Sequence, residues 1–227
     1  MWAVFKKELK SYFLSPIGYI VIGILLLAFT IFFEITVLDP GISNLGVLYY
    51  NAAYFGLLIS IPILTMRMFA EERKNGTEQL ILTSPVSTVG VVFGKFFAAL
   101  FVIFVTLVLS LIYYGIVCYF AKPDIIVQLI TVVGFLLISG AAISIGMFAS
   151  SITEHQIIAG IITIAFLIMS LFIPQLGEEF DMVSIMDFYG NFPVGVISLT
   201  DVVGVLSFTG MFIALTIIVM QRRKLVK

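Results

Sequence analysis

The chain has 227 residues, of which 61% are hydrophobic and 11% charged, with a mean hydropathy of +1.20. A soluble domain carries about a quarter charged residues, so a water-soluble globular fold is excluded and an integral membrane protein is indicated. The formal net charge of −1 gives no electrostatic basis for a nucleic-acid partner, and the one cysteine, Cys118, reads as a small buried hydrophobe.

In chain order, Trp2 to Leu14 comes first and is too charged to span. On a helical wheel Trp2, Phe5, Leu9, Tyr12 and Phe13 share a face, while Lys6, Lys7, Glu8 and Lys10 spread over the rest. That pattern predicts an interfacial helix, ended by Ser15-Pro16. It is either a simple anchor or an elbow that braces the bundle at the membrane surface. Residues 19–38 are the first of six apolar runs near the 20 residues that a spanning helix needs. The run is too long for a secretory h-region and ends in Leu38-Asp39-Pro40-Gly41 rather than at a cleavage site, so it reads as an uncleaved anchor. It carries Glu34, roughly 22 Å along a helix from Tyr19. An intramembrane carboxylate is a substrate-path candidate, unless it reaches the outer interface.

The further spans are expected at 46–66 (with Pro62 inside), 94–120, 125–150, 156–173 and 202–220. In the fourth, Gly140, Ser144 and Gly146 offer a small-residue face for close helix approach. A short turn, Ser151 to His155, links the fourth and fifth. Segment 175–201 begins acidic with Glu178, Glu179 and Asp181, then turns apolar, and Gly190, Pro193 and Gly195 interrupt any helix. It is either an outer re-entrant hairpin or an ordinary amphipathic loop.

Eleven of the twelve Lys and Arg fall before the first span, around the second connector or after the last span, leaving only Lys122 opposite. The positive-inside rule therefore places both termini in the cytoplasm. Catalytic and cofactor motifs are missing. His155 is the only histidine, which excludes a multi-histidine metal site, and no G-x-S-x-G occurs. Gly94-Lys95 has no Walker context, so Lys95 is expected to snorkel to the inner headgroups. The expectation is a chain that is not an enzyme and holds no cofactor or metal.

Against this background the connector 66–93 stands out: Arg67, Glu71, Glu72, Arg73, Lys74 and Glu78 lie in one short stretch. Gly76 is suited to end the emerging helix with a left-handed residue. Thr77 can cap a new short helix with Glu78 in its first turn. That helix would carry Leu80, Ile81 and Leu82 and break at Ser84-Pro85. An apolar knob with a charged rim has the composition of a docking surface.

The stretch "MRMFAEERKNGTEQLILTSPVSTVGVVFGKF" resembles the signature of type-2 ABC exporter permeases: Glu71, Glu72, Gly76, Thr77, Glu78, Leu80 and Pro85 match its E-E-x-x-x-G-T-x-E-x-L-x-x-x-P pattern. "FKKELKSYFLSPIGYIV", "GMFASSITEHQIIAG" and "DFYGNFPVGVISLTDVV" are similar, in order, to the elbow, the turn between the fourth and fifth spans, and the outer segment of the gliding-motility permease branch. The resemblance implies a single six-span domain, 1–227, in a prokaryotic plasma membrane. It has an elbow at 1–15 (Trp2, Phe5, Lys6, Lys7, Leu9, Lys10) and couples through the connector to a separate ABC ATPase that binds ATP and Mg. It implies a second permease copy or sister permease, and a central path gated outside by Asp187, Phe188, Phe192, Pro193 and Gly195. An extracellular auxiliary subunit fits the same scheme. The competing reading is a membrane anchor or assembly subunit of a surface machine that moves no cargo.

Overall fold

A computed structural model describes residues 1–38, 45–78, 87–172 and 186–226. All regular structure among them is helical. Helix α1 (Trp2–Leu14) ends at Ser15, whose extended backbone leads into Pro16 at the first turn of α2 (Pro16–Leu38). Proline is tolerated there because its missing N–H has no helical partner in any case. The last five residues of α2, Glu34–Leu38, widen into a π-turn. Helix α3 (Leu45–Lys74) contains a second π-turn at Ala52–Gly56 and the predicted Pro62, and its regular ladder lapses over residues 66–69 before a last turn, Ala70–Lys74. Then follow α4 (Thr88–Phe120), α5 (Ile125–Ile152), α6 (Gln156–Phe172) and α7 (Leu199–Val226).

Among the described residues five helices are long and apolar enough to cross a membrane: α2, α3, α4, α5 and α7. Helix α6 has 17 residues, about 25 Å at 1.5 Å per residue, and is the shortest of the apolar helices. Several expected boundaries move outward. Ser87 caps α4 by accepting from the Gly90 amide at 3.1 Å, so this helix starts six residues before the apolar run. Asp124 caps α5 through the Ile126 amide at 2.9 Å. Helix α7 continues through Arg222, Arg223 and Lys224. Composition marks where a helix is apolar, whereas capping and continued hydrogen bonding decide where it ends.

Helix α5 lies at the centre and packs against α3, α4, α6 and α7. Its small residues serve two neighbours. A Cβ on Gly146 would overlap the Thr65 side chain of α3, whereas Gly140 faces Phe96 and Leu100 of α4. In lipid, where apolar burial drives helices together only weakly, this close packing and interhelical hydrogen bonding hold the bundle. A buried aromatic cluster fills the end far from α1: Phe29 of α2, Tyr49 of α3 and Phe135 of α5 meet at 4.9–6.3 Å. There the Tyr49 and Ser110 hydroxyls are 2.9 Å apart. One expectation fails on α4. Cys118 is exposed rather than buried, because no helix among the described residues covers the α4 face that carries it.

Candidate functional site

The ends of α3, α5 and α7 and the starts of α1 and α4 gather at one end of the bundle, and most of the charge is there. The ladder of α3 breaks at residues 66–69, and α5 repairs it. The buried Ser150 hydroxyl oxygen accepts from the Phe69 and Ala70 amides, each at 3.1 Å, and donates to the Met66 carbonyl at 3.2 Å. Ser150 thus acts as an N-cap supplied by another helix, satisfying amides that start the last turn of α3. Gly146 lies one turn before Ser150 and lets the helices come close enough for these bonds.

The turn Ala70–Lys74 carries Glu71, Glu72 and Arg73 in three directions. Glu72 reaches inward to Lys95 of α4 at 2.9 Å and to Lys7 of α1 at 3.3 Å. Lys95 also binds Glu8 at 3.1 Å, donates to the Met68 carbonyl at 2.7 Å, and lies 5.3 Å from the centre of the Phe69 ring. Its side chain is 2% exposed. The expected headgroup snorkel is therefore wrong. Lys95 sits two turns inside α4, where α1 and α3 cover it, and two carboxylates supply what lipid phosphate would have. Arg73 reaches the other way, to Glu154 in the α5–α6 turn at 2.8 Å, to the Ile152 carbonyl at 3.1 Å and to Glu78 at 4.0 Å. Glu78 is buried and meets Arg223 of α7 at 3.4 Å, and Arg223 also donates to the Ile152 carbonyl at 3.4 Å. Two guanidinium groups thus converge on the carbonyl end of α5, where the helix dipole favours positive charge. Glu71 takes the third direction, pairing only one turn back with Arg67, with a second contact at 2.6 Å.

Gly76 has φ +70, the left-handed residue expected to end the α3 tip. The Thr77 hydroxyl donates back to the Glu72 carbonyl at 3.2 Å, which closes the same helix. Leu80, Ile81, Leu82 and Pro85, expected to form the apolar knob, lie outside the described residues. Helix α1 packs on α4 through Val4, Phe5 and Glu8, with Gly94 of α4 against Val4, while the Tyr12 hydroxyl donates to the Leu64 carbonyl of α3 at 3.4 Å. Of the expected apolar face, Phe5, Leu9, Tyr12 and Phe13 are partly or fully buried and Trp2 is 66% exposed, whereas Glu8, assigned to the polar side, is buried against Lys95. Between α1 and the α3 tip is a polar cavity of about 200 Å³, lined by Lys7, Glu8, Tyr12, Glu71, Glu72 and Lys95 among others. Burial works to lower the pKa of Lys7, but Glu72 and then Glu8 outweigh it and leave it raised above 10.5. Burial, followed by the field of Glu8 and Glu72, raises the Tyr12 phenol.

Residues 33–220 match the family model described as ABC-2 family transporter protein, which covers most of the chain. The chain belongs to the ABC-2 transporter family. It is a multi-pass membrane protein and a permease component of an ABC transporter. ABC-2 permeases generally work with an ABC ATPase subunit, often as dimers, and are generally not catalytic themselves. No individual curated protein matches the chain.

At the opposite end of this ABC-2 permease, the described part of segment 175–201, expected on the outer side, forms two 3₁₀ turns, Asp187–Tyr189 and Phe192–Val194. Residues 175–185 of the expected segment lie outside the described residues. Phe192 is buried against Gly134 of α5, and its carbonyl accepts from Thr131 at 3.2 Å. Gly134 is about 15 Å along α5 from Asp124, so the turn reaches well into the bundle. Tyr189 stacks between Tyr50 and Phe192, and Phe188 covers Gly204 of α7. Pro193 is buried, and Gly195 has φ +83 against Val127. Asp187 starts the first turn. Glu34, in the π-turn of α2, is exposed on the single chain.

Sequence reasoning missed Glu8, Lys95, Ser150, Glu154 and Arg223. Only Lys95 gave a signal, as a lysine inside a predicted helix with no acidic residue near it in sequence.

Proposed function

We propose that the chain is the permease half of an ATP-driven exporter, with six spans counting α6, both termini cytoplasmic, and α1 as an interfacial elbow. A separate ABC ATPase, carrying ATP and Mg, docks on the α3 tip and the connector after it, and two permease subunits form the transport path. One observation carries this reading. The consecutive residues Glu72 and Arg73 tie the α3 tip to two sides of the bundle, Glu72 to α1 and α4 and Arg73 to the α5–α6 turn, with Glu78 between Arg73 and Arg223 of α7. A force on this tip is therefore applied to both sides at once. Glu72, Arg73 and Glu78 are engaged within the chain and act as positioning residues. Arg67, Glu71 and Lys74 keep accessible surface and are assigned to the ATPase contact, continuing into Leu80, Ile81, Leu82 and Pro85.

In the same reading Phe188, Phe192, Pro193 and Gly195 form the outer gate with Asp187 at its rim. Glu34 faces the path where a second subunit meets α2. The gliding-motility branch is the assigned relative.

The test is co-expression with the ABC ATPase encoded beside this chain, followed by purification and ATPase assay. A stable complex is expected, with cargo-stimulated ATPase reduced by Glu71→Ala. A folded permease that retains no ATPase would overturn the coupling and favour the anchor reading. Sidedness is tested in a Cys118→Ser background: an impermeant maleimide should label Lys122→Cys in intact cells and Lys74→Cys only after permeabilisation. The reverse pattern refutes the orientation.

A further inference from the structure

Helix α1 and the first half of α4 enclose a groove of about 450 Å³ that the coupling reading leaves unused. Trp2, Phe5, Phe97, Phe101, Phe104 and Leu136 line it. Trp2 stacks on Phe5 at 5.2 Å, and Phe5 meets Phe101 edge-on at 6.3 Å. From Phe97 to Phe104 the aromatic wall runs for roughly 10 Å along α4. The Lys6 ammonium stands 5.4 Å from the centre of the Trp2 ring, which lines this groove. Lys10 follows one turn later on the same stripe, and both lysines are exposed. Their charge is not engaged by any carboxylate among the described residues, unlike that of Lys7 and Lys95.

We infer that this groove holds one acyl chain of an anionic glycerophospholipid of the surrounding membrane, with its phosphate at Lys6 and Lys10. The inference rests on the chain being a membrane permease and not on the ATPase contact. Two physical points select the occupant. The wall offers almost no polar atoms, so an extended peptide would leave its backbone amides unsatisfied, whereas a hydrocarbon chain has none. The stretch of α1 that carries Trp2 is cationic through Lys6 and Lys10, and each lysine near a membrane surface favours anionic lipid about fivefold. Lipid bound here would fasten α1 to α4 on the flank opposite the Glu8–Lys95 pair.

Trp2 is the only tryptophan in the chain and lines the groove, so it is a built-in reporter. The full-length permease would be reconstituted in phosphatidylcholine vesicles containing a small, matched fraction of brominated-chain phosphatidylglycerol or brominated-chain phosphatidylcholine. Trp2 quenching should favour the glycerol lipid by about fivefold or more and saturate at one lipid per chain. Lys6→Gln with Lys10→Gln should erase the preference while quenching by phosphatidylcholine persists. Leu100→Phe with Leu136→Phe fills the groove and leaves both lysines in place, so it should also erase the preference. A preference that survives groove filling means only diffuse headgroup attraction and overturns the proposal. Equal quenching by the two lipids overturns it too. Quenching by neither means that a second copy of the chain covers the groove, which also overturns it. Should the filled variant fail to fold, native mass spectrometry of the wild type decides: one retained anionic phospholipid per chain supports the site, and none refutes it.

Discussion

Lys95→Met removes the cation from the most enclosed ionic group among the described residues and keeps the length of the side chain. Lys95 is held by Glu72 at 2.9 Å, Glu8 at 3.1 Å and the Met68 carbonyl at 2.7 Å. Breaking a buried pair by removing one partner costs about 3–5 kcal/mol, because the other charge stays behind without compensation. Here two carboxylates stay behind, 12% and 14% exposed. Lys7 still stands 3.3 Å from Glu72 and 3.6 Å from Glu8, but it is 63% exposed and compensates weakly. The expected loss is therefore at the low end, about 3 kcal/mol, on the order of a hundredfold in the folding equilibrium. Denaturant unfolding of the purified protein in mild detergent would measure it. The same reasoning requires that Glu8→Gln and Glu72→Gln added to Lys95→Met recover part of the loss, because the stranded charges are then gone. A Lys95→Met protein within about 0.5 kcal/mol of wild type, or a strictly additive triple variant, would show that these residues do not act as one buried group.

Glu78→Lys places three cations together with Arg73 and Arg223 and should abolish stimulated ATPase in the complex without preventing membrane insertion. Adding Arg223→Glu should restore part of the activity, measured in the same assay. Gly146→Ala pushes a methyl group into Thr65 and should destabilise by about 1–3 kcal/mol, with Thr65→Ala in the same chain recovering much of it by thermal unfolding in detergent. Alkali should weaken the fold in a defined window. The pKa values of Lys7 and Tyr12 are both raised on folding, so their contribution is complete below the unfolded values of 10.5 and 10.0 and is lost as the pH rises beyond them. Unfolding free energy followed against pH should be insensitive to Lys7→Gln in slope between about pH 7 and 9, and a loss of stability within that neutral window that vanishes in Lys7→Gln would contradict the assigned direction. Phe192→Ala should open space beside Gly134, so that a cysteine at Thr131 in a Cys118→Ser background becomes reactive to outside maleimide; unchanged protection would place the outer turn elsewhere.

Composition and the length of the apolar runs were enough to read the membrane class, the helices and the polar connector, because a bilayer demands long apolar segments whose backbone bonds are internal. The left-handed Gly76 and the helix ending at Ser15-Pro16 were legible too, since both follow from local backbone sterics. The residue pattern likewise carried the resemblance that the family match supports at the level of ABC-2 permeases. The partners of the charged residues were not legible. Glu72 and Lys95 are 23 positions apart, Glu8 and Lys95 are 87 apart, and Arg223 and Glu78 are 145 apart. No periodicity links such positions. Only the packing of α1, α3 and α4, made close at the α1–α4 contact by Gly94, turns a lysine that sequence would send to the headgroups into the centre of a buried ionic cluster. The same packing turns Ser150, one small residue among many on α5, into the cap that holds the α3 tip. Local sequence sets helices and turns through short-range sterics and solvation, whereas charge pairing across a bundle depends on distances that exist only once the helices have packed.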